Sequence, residues 1–413
     1  MLFVVLRGVN RCAIAVMIAS NDTIEKEFRT NEPLGQYCTL GVGGSAQYYI
    51  NVDSIAKMQR VVSWCRTQKL PLFVLGSGSN VVISDAGVEG VTAHLAIDQI
   101  TVTRETIRSV DVRVEAGRCW DDFVVMAVKN RWWGIENLSG IPGTVGAFPV
   151  QNVGAYGQDA SQVVTKVEVL DQLTNTRLTL SNNQCAFGYR SSIFNRPLGS
   201  KYVILAVHFR LRKYGHPNLE YWSIRDRYLK TQRSRGLFQW IFFYYCLRFV
   251  GCFSPKDLLL LRRTVLEVRA SGCLPDLKQL GNVGSFFQAA YISADDFDTV
   301  KKRLIFRFPE SAHSIDENVY ELGDGRVKIS PAWLMRLVEV NKMVVGGASV
   351  YENNPAVVIN RNGLATSSDI VNLADAVCSR VYEMTGLIIR IEPVFVGFNS
   401  LGTLCRFLAN GCA

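Results

Sequence analysis

Between about Asn31 and Phe209 the apolar residues fall in short runs and alternations. Ala46 to Val52 alternates at every second residue, the pattern of a half-buried strand. Ser54 follows in a position to cap a helix whose Met58, Val61 and Cys65 share one face. Pro71 to Leu75 predicts the next strand, and Val110 to Ala116, Val164 to Leu170 and Tyr202 to Leu211 predict three more. Strands and helices in this order indicate a mixed α/β domain.

The second half reads as a separate α+β unit. Pro255 to Arg269 predicts a helix with Leu258, Leu261, Val265 and Val268 near helical spacing. Ser293 to Arg303 and Ser367 to Thr385 predict two more, each opening on a serine that can cap it. Strands are expected at Ala356 to Asn360 and Leu387 to Ile391. The stretch Gly236 to Phe253 breaks the pattern, being aromatic, nearly uncharged and without a clean period. It approaches the length of a membrane span, but Gln239 and Arg248 interrupt it. An inserted, aggregation-prone segment is the reading taken, and no membrane attachment is expected.

Composition narrows the function classes. A chain of 413 residues implies two or three compact units. The formal charge of +9 is dispersed with no Lys/Arg block, which disfavours a nucleic-acid binder and suits small anionic ligands such as nucleotides or phosphorylated sugars. The 11 cysteines form no C-x-x-C pair and the four histidines lie far apart, so no metal site is expected and the thiols read as reduced and intracellular. The first twenty residues hold Arg7 and Arg11 but no acid, which suits an organelle-targeting leader or an extension with no address.

The chemistry concentrates in two glycine-rich loops. Ile141 to Gly157 holds four glycines and two prolines in an otherwise apolar run, so main-chain N–H groups can approach a large flat or anionic ligand closely. Gly76-Ser-Gly-Ser-Asn80 directly follows a predicted strand. Two such loops in one half of a chain point to a bound dinucleotide.

These loops, with Gly134-Ile-Glu-Asn-Leu138, Phe187-Gly-Tyr-Arg-Ser-Ser-Ile-Phe194, Leu274-Pro-Asp276, Gly281-Asn-Val-Gly-Ser-Phe-Phe287 and Ile391-Glu-Pro393, occur in an order that resembles the UDP-N-acetylenolpyruvoylglucosamine reductase family. The likeness spans roughly residues 31 to 398, and Tyr221 within Leu-Glu-Tyr resembles its type I subgroup. The resemblance implies an α+β chain: a two-lobed FAD-binding domain of the vanillyl-alcohol-oxidase type plus a C-terminal α+β substrate domain. It also implies a cytoplasmic, monomeric enzyme that uses FAD and NADPH to reduce the enolpyruvyl ether of a UDP-sugar in peptidoglycan precursor synthesis.

Matched residue by residue, Arg190, Ser285 and Glu392 are the expected catalytic group. Hydride delivery to the enol ether builds negative charge toward the substrate carboxylate. That chemistry needs a cation there, a proton donor at the adjacent carbon, and a dry site. Arg190 can supply the fixed cation, or be a structural arginine. Ser285 can donate the proton if Phe286 and Phe287 exclude solvent, or be a turn residue. Glu392 can act as an acid or electrostatic partner, or close a strand-end salt bridge. By resemblance, Gly76, Ser77, Gly78, Ser79 and Asn80 face the FAD pyrophosphate. Ile141, Pro142, Gly143, Gly146, Gln151, Asn152, Gly154, Ala155 and Tyr156 line its ribityl chain and ring. Tyr189, Tyr221 and Arg269 are expected substrate contacts.

Several positions depart from the family. Gly272-Cys273 stands where a lysine helps to hold substrate and NADPH, Ala289 where a substrate-binding asparagine is usual, and Val394 where a second glutamate is usual. Losing such a lysine removes a charged hydrogen bond worth about 1.5–3 kcal/mol, or tenfold or more in affinity. Besides 236–253, short insertions are expected near Leu304 to Arg307 and Val319 to Leu322. A catalytically impaired flavin-binding remnant, or another FAD-linked oxidoreductase on the same fold, are the alternative readings. The expected organisation is an extension over 1–28, an FAD domain over 29–225, a linker region over 226–273, a substrate domain over 274–386, and a segment over 387–413 returning toward the FAD domain.

Overall fold

The computed structural model describes residues 24–233, 255–271, 274–277, 279–322 and 325–408. The aromatic stretch 236–253, the first twenty residues, Gly272-Cys273 and Lys278 lie outside the described residues.

Two sheets build the N-terminal unit. The first comprises β1 (Arg29–Pro33), β2 (Ser45–Val52), β3 (Leu72–Leu75) and β5 (Val88–Leu95), in the order β1-β2-β5-β3. The β2/β5 and β3/β5 pairs are parallel and β1/β2 is antiparallel. Helix α1 (Ile55–Gln68) crosses between β2 and β3, and the Ser54 hydroxyl accepts from Lys57 N at its start, so the cap read from sequence is the cap used. The second sheet is antiparallel, formed by β6 (Ile100–Glu105), β7 (Ser109–Glu115), β8 (Val164–Asp171), β9 (Thr176–Ser181) and β10 (Tyr202–Arg212), in the order β9-β8-β10-β7-β6. Helix α2 (Trp120–Lys129) packs Trp120 and Phe123 into the core beside Phe148 and Phe209. Burying such aromatic side chains contributes on the order of 2–3 kcal/mol each.

The compact fold starts before residue 29. Ile24 is fully buried in this core, Glu27 pairs with Lys57 and Arg60, and Phe28 stacks on Trp64. The expected break at 225/226 also falls inside a helix, α3 (Trp222–Arg233). Helix α4 (Pro255–Ala270) packs against α3 through Ile224, Tyr228, Leu261 and Val265. It is clamped to the N-terminal unit by a two-pronged ion pair from Arg262 to Asp121, at 2.7 and 2.8 Å.

The C-terminal unit holds two further antiparallel sheets. β11 (Gly281–Ser285), β15 (Val344–Val345), β16 (Ala348–Val350) and β17 (Val357–Asn360) are ordered β11-β17-β16-β15. β12 (Ala290–Ser293), β13 (Val319–Glu321) and β14 (Arg326–Ile329) are ordered β12-β14-β13. Helices α5 (Ala294–Arg307), α6 (Pro331–Leu337) and α7 (Ser367–Thr385) cover them. The two expected short insertions fall in regular structure, at the last turn of α5 and on β13.

Three readings need correction. The cap of α7 is Thr366, which forms a reciprocal box with Asp369, while Ser367 Oγ accepts from Asp85 N. The run Leu387 to Ile391 is not a ladder strand: only Ile391 bridges, to Phe287 and Leu408. It still alternates, burying Leu387, Ile389 and Ile391. Cys405, expected as a reduced thiol, is disulfide-bonded. No described helix is long and apolar enough to cross a membrane.

The two units share a core. Leu40, Val42 and Val82, from the first hundred residues, sit among the apolar side chains of the C-terminal unit. Asp85 accepts from the main chain of Ser367 and Ser368, and Asn360 Nδ2 donates to Leu40 O. Finally β4 (Val81–Ile83) pairs in parallel with β18 (Val394–Val396), which brings the chain after residue 390 back to the N-terminal loops.

Candidate active site

The two glycine-rich loops face each other. Ser79 Oγ donates to Pro142 O at 3.4 Å, and a Cβ on Gly143 would lie 3.3 Å from Ser79 Oγ. Gly78 has φ +59, and a side chain there would strike Tyr37 O, so only glycine permits this close approach of chain to chain. The equivalent positions at Gly146 and Gly154 are filled by Ala116 and Asp159, so these two glycines serve packing of the loop on its own unit. Ser77 and Ser79 with the bare main chain of Gly76 to Asn80 offer donors and no acidic side chain, a set suited to a diphosphate. The residues present therefore fit a dinucleotide.

A turn then presents Tyr189 and Arg190. Gly188 and Ser191 exchange main-chain hydrogen bonds across it, and Arg190 takes a left-handed φ of +49. For a non-glycine residue this conformation costs roughly 1–3 kcal/mol, which the surroundings must offset. They do so with three side chains. Asn152 Nδ2 donates to Gly188 O, Asn195 Nδ2 to Arg190 O, and Ser192 Oγ to Val150 O. Asn152, expected at the cofactor, thus spends its amide on the Arg190 turn.

Arg190 meets Glu392. Its Nη1 donates to Gly154 O at 3.2 Å, and its Nε lies 3.4 Å from Glu392 Oε1 without hydrogen-bond alignment. Gln151 Nε2 donates to the same carboxylate oxygen at 3.1 Å. Glu392 is there because Val394 N donates to Asn80 O at the start of the β18/β4 pairing, two residues further on. Burial pushes the Glu392 carboxyl above its usual range, against the pull of Arg190 and Gln151.

Ser285 is held beside this group by main chain: Glu392 N donates to Phe286 O, and Gln288 N to Arg390 O. The expected shield is absent, however. Ser285 is exposed, while Phe286 and Phe287 are buried in the C-terminal core. The cause is a bulge: the N–H groups of Phe286 and Phe287 both turn to Ala356 O, which sends both rings inward and leaves Ser285 outward.

The remaining expected contacts divide between two places. Tyr189 packs edge-on against Tyr291 of β12, centroids 5.1 Å apart, with the Arg190 guanidinium 5.8 Å from the Tyr189 ring and the Arg326 guanidinium 5.7 Å from that of Tyr291. Tyr221 packs edge-on against Tyr156, 5.2 Å apart. Arg269 lies against Gly140, just ahead of the Ile141 loop, with its charge acting on Asp121. Ala289 is buried, and Val394 is a strand residue of β18. Sequence reasoning missed Tyr291, Arg326 and Asn137. Asn137 donates to both Tyr156 O and Asn218 O and so ties the glycine loop to the segment before Tyr221. No local pattern marks Tyr291 or Arg326, because their relation to Tyr189 arises only from docking of the two units.

Paired glycine loops on a two-sheet unit, closed by a second α+β unit, define a flavin-binding class of protein. A family model described as FAD binding domain matches residues 46–180, and one described as UDP-N-acetylenolpyruvoylglucosamine reductase, C-terminal domain, matches residues 276–396. The reductase of that name from Thermobifida fusca is 35% identical over 377 residues, covering 90% of this chain and 98% of its own. That from Shewanella oneidensis is 34% identical over 366 residues, covering 89% and 96%. The crystal structure of the Thermus caldophilus reductase, at 19% identity, superposes with a TM-score of 0.58 over 89% of this chain and 99% of that one, which shows the shared fold. The chain belongs to the UDP-N-acetylenolpyruvoylglucosamine reductase family, as its motifs indicated.

Proposed function

We propose that this chain catalyses the NADPH-driven, FAD-dependent reduction of UDP-N-acetylglucosamine-enolpyruvate to UDP-N-acetylmuramate, as a cytoplasmic, monomeric enzyme of peptidoglycan precursor synthesis. The observation that carries this reading is the meeting of Arg190, Glu392 and Gln151 beside the glycine loops, with Ser285 on the strand bonded to the Glu392 main chain.

The main chain of Gly76 to Asn80, with the Ser77 and Ser79 hydroxyls, would hold the FAD diphosphate, and Ile141 to Tyr156 would line the rest of that cofactor. Bound FAD supplies hydride, taken from NADPH and passed to the enol ether. Arg190 provides a permanently charged fork for the substrate carboxylate and stabilises the negative charge that grows there. The rigid turn that holds it means that little reorganisation accompanies this charge. Ser285 Oγ donates a proton to the carbon next to the carboxylate. Because Ser285 is exposed in the free protein, the bound substrate itself would have to exclude water from it. Glu392 supports the proton inventory of the site. Tyr189, Tyr221 and Arg269 are the side chains proposed to contact the UDP-sugar, Tyr189 beside Arg190, Tyr221 beside Tyr156 and Arg269 beside Gly140.

The test is NADPH oxidation by the flavin-loaded protein. Consumption that requires the enolpyruvyl UDP-sugar and yields the muramate supports the reading. Bound flavin with no sugar-dependent oxidation would rule it out in favour of a non-catalytic flavin protein.

A further inference from the structure

Gln151 was expected at the cofactor, yet its side chain serves Glu392. Two groups address Oε1 of that carboxylate, and they do so unequally. Gln151 Nε2 donates a hydrogen bond at 3.1 Å, whereas Arg190 Nε stands at 3.4 Å, buried and without a hydrogen-bond partner. The arginine is already committed through Nη1 to Gly154 O. Its hold on Glu392 is therefore a loose Coulombic contact, which a well-aligned ligand carboxylate can replace. Gln151 cannot drift in the same way, because neighbouring Asn152 is tied at both ends, to Gly188 O and to Ser161 N.

The surroundings of Glu392 set the consequence. Arg190 is the charged side chain that meets it from the Gly188–Ser191 turn, and that guanidinium neighbours Tyr189, which contacts Tyr291, itself beside Arg326. The β11 side contributes the Phe286 carbonyl to the Glu392 main chain, and the Gly76–Asn80 loop contributes the Asn80 carbonyl two residues on. A nearly buried carboxylate that lost its cation to a ligand would be left uncompensated, and would take up a proton instead.

We propose that Gln151 is a positioning residue for Glu392: its N–H claims Oε1, so that the proton entering when a ligand carboxylate takes over Arg190 settles on Oε2. One proton is drawn from solvent per ligand bound, and no bond to carbon changes in this step. The choice of ligand rests on the function proposed above.

The experiment titrates the FAD-loaded protein, without NADPH, with UDP-N-acetylglucosamine-enolpyruvate at neutral pH in two buffers of different ionisation enthalpy. The wild type should take up close to one proton, and Glu392→Gln should bind with none. Gln151→Leu, or Gln151→Ala if the first variant loses flavin absorption, should show less than half the uptake. Losing the amide hydrogen bond moves the Glu392 carboxyl further in the direction burial already pushes it, so part of the proton is bound before the ligand arrives. The same variant should lose about tenfold in kcat with KM moved less than about threefold. Binding and turnover without proton uptake in the wild type, or a Gln151 variant with wild-type uptake and kcat, overturns the proposal alone. No binding and no sugar-dependent oxidation overturns the functional reading, and this inference with it.

Discussion

A buried glutamate and a nearly buried one separate scaffold from site. Glu136 accepts from Gly134 N at 2.6 Å and from Gln158 Nε2 at 2.9 Å, while Gln158 in turn accepts from Asn137 N. Glu392 meets Gln151, 241 positions away, and the loosely held Arg190. Burial pushes both carboxyls upward. Glu136 accepts two hydrogen bonds from its own neighbourhood, and the Arg212 charge acts on it without a direct ion pair. Glu392 depends on a cation from another part of the chain whose contact is incomplete. A buried acid alone marks neither case. What distinguishes the site is an unsaturated partner that a ligand could claim.

The sharpest break in this comparison is at Arg190. Arg190→Met should lower turnover by about 10²–10³ while flavin absorption stays at one per chain. Activity within a fewfold of wild type would remove the arginine from the reaction. Ser285→Ala should cost about 10² in kcat, with little change in substrate affinity. Full turnover in that variant would mean that water, or another donor, supplies the proton at this exposed position.

What was legible in the sequence tracks how local each feature is. The caps at Ser54 and Ser293 are contiguous patterns whose physics acts within a few residues, and the structure places both as read, whereas within the Ile141 to Gly157 loop Gly146, Gly154, Gln151 and Asn152 pack against or bond to the protein itself. The cap of α7 was misread because Thr366 and Ser367 can each cap, and the choice is made by Asp85, 282 positions away. The exposure of Ser285 depends on a bulge against Ala356, which strand alternation does not reveal. The approach of Glu392 to Gln151 depends on the parallel pairing of β18 with β4, a contact across some three hundred residues. The shared core of Leu40, Val42 and Val82 with the C-terminal unit is equally nonlocal, and it is why boundaries drawn along the chain do not fully separate the two units in space.

The scaffold half of the comparison predicts the opposite phenotype. Glu136→Leu strands the Gly134 N–H and the Gln158 amide in a buried site, at about 1–3 kcal/mol for each unsatisfied group. Thermal unfolding should shift down accordingly, while turnover per bound flavin stays within about twofold of wild type. A large kcat loss at unchanged stability would move Glu136 from scaffold to site.

The smallest effect expected lies in stability against pH, where Glu392 and a third carboxyl, Glu168, diverge. The hydrogen bond from His208, followed by that from Arg113, holds Glu168 well below the usual glutamate range. Its contribution to folding is present above the ordinary value of 4.5 and is lost as pH falls through the depressed one, because the unfolded chain binds its proton first. Glu392 runs the other way. With its folded value raised by burial, the unfolded chain releases the proton first, so its contribution is intact below 4.5 and declines as pH rises from there through the raised value. Denaturant titrations across this range should therefore show a shallower acid-side fall for Glu168→Gln and a shallower loss with rising pH for Glu392→Gln. Parallel curves for Glu392→Gln and wild type would mean that its carboxyl gains as much from Arg190 and Gln151 as burial costs it, and the contrast with saturated Glu136 would then rest on geometry alone.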